Sequence, residues 1–112
     1  MLILLNVQTR EMLGLSDIRA RSDAESGLAA RKSRAVLREA LEACEAQRIA
    51  CEMRAEFGGP IAETIDRLAR ETGADQIVMG ARGLGRVRSL MLGSVTTQVI
   101  HLTDIPVTLV KA

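Results

Sequence analysis

The chain has 112 residues, 47% of them hydrophobic and 26% charged, with a net charge of +1, the balance of a single globular domain spanning residues 1–112. Its one aromatic residue, Phe57, leaves no set of rings on which a nucleic-acid single strand would stack. The near-neutral charge supplies no long-range field to draw in DNA or an anionic membrane.

Leu2–Val7 is a continuous apolar run, the pattern of a parallel strand buried on both faces. The stretch Met1-Leu-Ile-Leu-Leu-Asn-Val7 is too short for a secretory apolar core and lacks a basic flank. With no run of membrane-spanning length, a cytoplasmic protein is the expectation. Residues 8–21 are polar, contain Gly14 and show no period, which predicts a loop.

A long helix is predicted from Ser22 to Gln47, with apolar contacts at Val36, Leu37, Ala40, Leu41 and Cys44. Its first half, rich in Arg, Ser and Glu, is expected to be exposed. Ile49–Glu56 alternates: Ile49, Cys51, Met53 and Ala55 point one way and Ala50, Glu52, Arg54 and Glu56 the other, as in a half-covered edge strand. Cys44 and Cys51, the only cysteines, are expected on the helix and the following strand as small buried apolar residues.

Gly58-Gly59-Pro60 ends the strand, and Pro60 suits the first position of a helix. Ile61, Ile65, Leu68 and Ala69 then define an amphipathic helix that stops at Gly73. Asp75–Met79 is the next strand, with Gln76-Ile77-Val78-Met79 reading as buried. After a glycine- and arginine-rich loop, Ser94–Leu102 reads as a short helix, and Ile105–Val110 as the last strand. The order β-α-β-α-β-α-β implies a parallel sheet with right-handed crossovers.

The stretch Gly80-Ala-Arg-Gly83-Leu-Gly85-Arg-Val-Arg88, leading to Gly93-Ser94, combines the features of an anion site. Glycines allow close backbone approach. A helix start presents amides and the positive end of a dipole. Arg82, Arg86 and Arg88 add charge where a phosphate would lie, with Arg82 the best placed. Ser94 is the expected N-cap. His101 has no orienting partner or nucleophile near it in sequence and reads as a packing or helix-terminal residue. No metalloprotease helix, phosphate-loop lysine or nucleophile elbow occurs, so nothing here points to catalysis.

The spacing Gly80-x2-Gly83-x9-Gly93-Ser94 resembles the nucleotide-binding signature of the universal stress protein family. Asp75-Gln-Ile-Val-Met-Gly80, the closing run Gly93–Lys111 and Gly59-Pro60-Ile61-Ala62-Glu63-Thr64-Ile65 are similar to the family's elements in the same order. The resemblance implies a Rossmann-like or flavodoxin-like fold of the adenine nucleotide alpha hydrolase type. That is an α/β three-layer sandwich, here with a parallel sheet of four strands. It implies ATP or AMP, with Mg²⁺, as ligand. Carried over by motif, Gly80 and Gly83 shape the turn beside ribose and phosphates, with Arg82 among the phosphate contacts. Gly93, Ser94, Val95 and Thr96 offer amides and hydroxyls to the phosphates. Met79 lies near the nucleoside and Val7 near adenine. Pro106, Val107, Thr108, Leu109 and Val110 form the strand through which family members commonly pair as antiparallel dimers, so a homodimer is expected.

Family members begin with one more strand and helix, ending in an acidic turn. Relative to them this chain lacks about 30–40 residues, the size of one βα unit. In the family that strand lies between the first and third strands named above. Either those two pair directly, or a partner chain fills the gap, or the chain is a shortened form. Direct closure into a four-stranded sheet is expected, since unpaired buried amides and carbonyls are avoided. The functional readings are thus a nucleotide-binding regulatory module of the stress response, a non-binding interaction domain with an incomplete adenosine pocket, or a slow ATPase lacking a general base.

Overall fold

The computed structural model describes residues 1–14, 23–81 and 92–111. The chain divides into two compact units, Met1–Gly59 and Pro60–Ala112. The elements follow the expected order, and every described strand pairing is parallel.

In the first unit β1 (Leu2–Gln8) pairs with β2 (Cys51–Phe57) in the register Leu2↔Cys51 to Gln8↔Phe57. They are joined through α1 (Asp23–Ala46). The register puts Leu2, Leu4, Asn6 and Gln8 on one face with Cys51, Met53, Ala55 and Phe57. A hydrogen bond from Ser33 Oγ on α1 to Asn6 Oδ1, 2.9 Å long, identifies that face as the one α1 covers. Ile3, Leu5 and Val7 share the other face with Glu52, Arg54 and Glu56, as the alternation in β2 predicts.

Two expectations for this unit are corrected. The first half of α1 is not simply exposed: Ala29 and Ser33 are 2% and 0% accessible. Both are small, so the helix backbone approaches β1 there while the charged neighbours fan outward; Val36 and Ala40, counted as contacts, are exposed. β1 is also not buried throughout. Only Val7 and Gln8 are buried, and Leu2 is 42% accessible. Leu2 lies on the face α1 covers and Val7 on the other, so burial follows position along the strand, rising toward its carboxyl end on both faces.

α1 ends by reversing direction. Ile49 N–H donates to Cys44 O and Arg48 N–H to Glu45 O, with Arg48 in the left-handed region at φ 56°. This is the paired hydrogen-bond closure that usually uses glycine at the reversing residue.

In the second unit α2 (Ile61–Glu71) precedes β3 (Ile77–Gly80), α3 (Ser94–Leu102) and β4 (Val107–Val110). β3 and β4 pair from Ile77↔Val107 to Gly80↔Val110. Pro60 is the N-cap of α2, one position before the expected one. Its carbonyl accepts from Thr64 N–H and Thr64 Oγ1. The helix closes at Gly73, φ 68°. Ala74 N–H donates to Ala69 O and Gly73 N–H to Arg70 O, as the sequence predicts. Ala62, Ala69, Ile77 and Val99 form the core, with Ile65, Met79, Val95 and Val107 packed against it.

β3 is not the buried strand its apolar run suggests: Ile77 is buried, but Val78 is 58% accessible. Ile77 and Met79 face the core, so Val78 falls on the opposite face.

The described ladders are β1-β2 in the first unit and β3-β4 in the second. Each observed pair joins strands that are neighbours in the chain, bridged by one helix. That local crossover fixes which strands meet and in what register.

Candidate functional site

The expected phosphate site gathers at the carboxyl end of β3, where parallel α/β folds place their ligands. β3 ends at Gly80, and its ladder with β4 runs on through Ala81 N–H to Val110 O, 3.0 Å. The chain returns at Gly93, whose N–H donates to Ala81 O at 2.9 Å. α3 starts there.

Gly93, not Ser94, is the N-cap, with φ −63° and ψ 156° and no side-chain hydrogen bond capping the helix. Ser94 is the first helical residue because the extended backbone that defines a cap falls one position earlier. Thr97 N–H is the first to reach an intrahelical acceptor, Gly93 O, at 3.0 Å. Helix geometry therefore leaves the amides of Ser94, Val95 and Thr96 without intrahelical partners, at the positive end of the dipole. Thr96 is 2% accessible, and its hydroxyl donates to Gly80 O at 2.9 Å. That bond ties the first turn of α3 to the end of β3.

The structure thus brings Met79, Gly80, Gly93, Ser94, Val95 and Thr96 together in the second unit. Ser94 is exposed and Val95 half-buried. The Gly93 amide and the Thr96 hydroxyl, both expected to face phosphate, are engaged in closing this turn. Arg82 and Gly83, like Gly85, Arg86 and Arg88, lie outside the described residues. Val7 lies in the first unit, buried near the end of β1.

β4 is the edge of its sheet, with β3 as its one neighbour among the described strands. Pro106, Thr108 and Val110 are exposed, and Val107 and Leu109 half-buried. His101 is exposed on the last turn of α3.

Several features escape a reading of the sequence. The Gly80 and Ala81 carbonyls, which anchor α3, are backbone groups and carry no residue signature. In the first unit Asn6 Oδ1 accepts from both Ser33 Oγ and Gln8 Nε2, the latter at 2.7 Å. Two amides at alternate positions in an otherwise apolar strand were the available signal. Beyond them Arg10 is ion-paired with Glu25. An open groove of about 310 Å³ is lined by Arg31, Arg34, Arg38, Leu41 and Met53. No expected site residue lines it, and its arginines are exposed side chains on a helix face, so the fixed amides of α3 are the better defined anion donors. No group of three potential metal-ligating side chains occurs among the described residues. No described helix is long and apolar enough to cross a membrane.

Comparison with known proteins bears on the family and the fold. The model of the universal stress protein family matches residues 1–111. Universal stress protein Slr1230 of Synechocystis sp. is 43% identical over 49 residues, 44% of this chain and 17% of that protein. Universal stress protein MJ0577 of Methanocaldococcus jannaschii is 41% identical over 49 residues, 44% of this chain and 30% of that protein. The matches to these curated relatives therefore span less than a third of their length. Among solved structures, MJ0577 superposes with a TM-score of 0.73 at 25% identity, covering 98% of this chain and 74% of that one. The hypothetical protein PH0823 gives 0.73 at 27% identity, with coverage of 97% and 73%.

Proposed function

The chain belongs to the universal stress protein family, and from that premise we propose that it is an adenine-nucleotide-binding regulatory module. It works in the stress response as one domain, in the cytoplasm and as a homodimer. The observation that carries this reading is the start of α3. The amides of Ser94, Val95 and Thr96 have no intrahelical partners and the helix has no side-chain cap, while the Thr96–Gly80 bond holds its first turn against β3. A phosphate satisfies these amides and the helix dipole together. Met79 and Gly80 supply the neighbouring strand end, and Arg82 and Gly83 of the signature complete the phosphate loop. ATP or AMP is the ligand, with Mg²⁺ offsetting the charge of the triphosphate. The exposed edge of β4, with Pro106 before it, pairs two copies through Pro106 to Val110, because an apolar edge with few charges recruits a second strand.

Saturable binding of ATP to the folded chain, with assembly mass measured alongside, tests this. A second reading has its own support: the Gly93 amide and Thr96 hydroxyl are already bonded within the chain. On that reading the domain works through protein contacts alone, and its assembly is insensitive to nucleotide.

A further inference from the structure

On α1 three arginines follow one another at spacings where a helix favours opposite charges. Arg31 and Arg34 stand three residues apart and Arg34 and Arg38 four apart, so each is the surface neighbour of the next, and like charges so placed work against the helix. α2 uses the same spacing the other way: Arg67 pairs with Glu71 and Arg70 with Asp66. Among the described residues no ion pair or hydrogen bond engages Arg31, Arg34 or Arg38.

The three line the open groove of about 310 Å³, whose other walls are Leu41 of α1 and Met53 of β2. Met53 lies on the sheet face that α1 covers, so the groove runs between helix and strand. The arginines are exposed, while Leu41 and Met53 are half-buried. Cations thus stand at the rim and apolar side chains at the floor, and no carboxylate of the described residues lines the groove.

We propose that this groove docks an acidic peptide segment of a partner protein, with an apolar side chain of that segment seated on Leu41 and Met53. Charge complementarity sets the sign of the partner. Arg31 to Arg38 spans about 10 Å along the helix axis, a length that an extended peptide covers in about three residues. Its carboxylates meet the arginines in turn, and each pair relieves the repulsion between neighbours. A lone phosphate gains less, because these donors are strung out in series and do not converge on one point. A nucleic-acid strand finds no set of rings to stack on, Phe57 being the one aromatic residue. A bilayer meets the arginines first and does not reach apolar side chains set below them. The flexible thioether of Met53 suits a floor that takes an apolar side chain. All five residues belong to the first unit, so the proposal is independent of the nucleotide reading at α3.

Fluorescence anisotropy with a labelled peptide, in which glutamates flank a single leucine, is the test. The expected result is saturable binding by the unmutated chain that weakens as salt rises. The peptide with glutamine in place of glutamate loses binding, and the one with serine in place of leucine binds more weakly. Arg31→Gln, Arg34→Gln and Arg38→Gln each weaken binding about twofold to fourfold, and the triple variant about tenfold, as exposed ion pairs allow. Glutamine matches arginine in helix propensity, so the thermal midpoint is unchanged or higher and lost binding is not lost folding. Met53→Gln weakens the leucine peptide and leaves the serine peptide as it was. Equal binding of the glutamate and glutamine peptides, unchanged binding by the triple variant, or no binding by the folded chain overturns the proposal. So does tighter binding of inorganic polyphosphate or of phosphatidylserine vesicles that is lost in the same triple variant, since the occupant is then not a peptide.

Discussion

The hydroxyl of Thr96, on the first turn of α3, donates to the carbonyl of Gly80, the last residue of β3, across 2.9 Å. This bond sets where the helix starts relative to the strand end, and with it the direction of the amides that the proposed function assigns to a phosphate. Thr96 is a positioning residue.

Thr96→Val keeps the shape and removes the donor. The buried hydroxyl is lost and the Gly80 carbonyl loses its side-chain partner, at a cost of about 1–2 kcal/mol in denaturant unfolding. Nucleotide binding weakens as well. Thr96→Ser restores both. A Val variant with unchanged stability and affinity would remove Thr96 from this role.

Gly93→Asp separates helix stability from ligand binding. The backbone at φ −63° and ψ 156° accepts a side chain. A carboxylate there caps the helix and meets its dipole favourably, stabilising the fold by about 0.5 kcal/mol. The same charge occupies the anion position and repels phosphate. The expected outcome is a protein at least as stable as the unmutated chain that no longer binds ATP.

Arg48 sits in the left-handed region at φ 56°, where a side chain costs about 1 kcal/mol or more. Glycine removes that cost and keeps both closing hydrogen bonds, which are made by backbone atoms. Arg48→Gly is expected to raise the unfolding free energy by about 1 kcal/mol. Chemical denaturation measures it.

Alkylation of Cys51 follows its thiolate. Because the thiol pKa is raised, the iodoacetamide rate reaches half its maximum at a higher pH than for an unperturbed thiol. Linkage has the same sign. The folded state holds the proton more tightly than the unfolded one. Its contribution to stability is therefore complete below the ordinary thiol pKa and is lost as pH rises through the folded one. Glu45→Gln removes one of the charges involved and is expected to lower the alkylation midpoint.

The order and type of every element could be read from the sequence, because helix and strand periods, Gly73 and the Gly58-Gly59-Pro60 break are local signals. Burial was harder to read. An apolar run says that a strand can be covered on both faces, not that it is, and so β1 and Val78 came out more exposed than their composition suggests. Ser33 is the reverse case: a polar residue among charged ones, it is fully buried because Asn6 waits opposite. At the site, the glycine and helix-start pattern located the strand end and the amides. It did not reveal that the Gly93 amide closes onto Ala81, nor that Thr96 turns its hydroxyl inward, since both partners are backbone carbonyls.

Paired calorimetric titrations with ATP and Mg²⁺, on the unmutated chain and on Gly93→Asp, test the nucleotide site most directly. Saturable heat in the micromolar to sub-millimolar range from the unmutated chain, abolished in a folded Gly93→Asp variant, is the predicted result. No binding by the folded unmutated chain, or equal binding by both, would contradict the placement of phosphate at the start of α3.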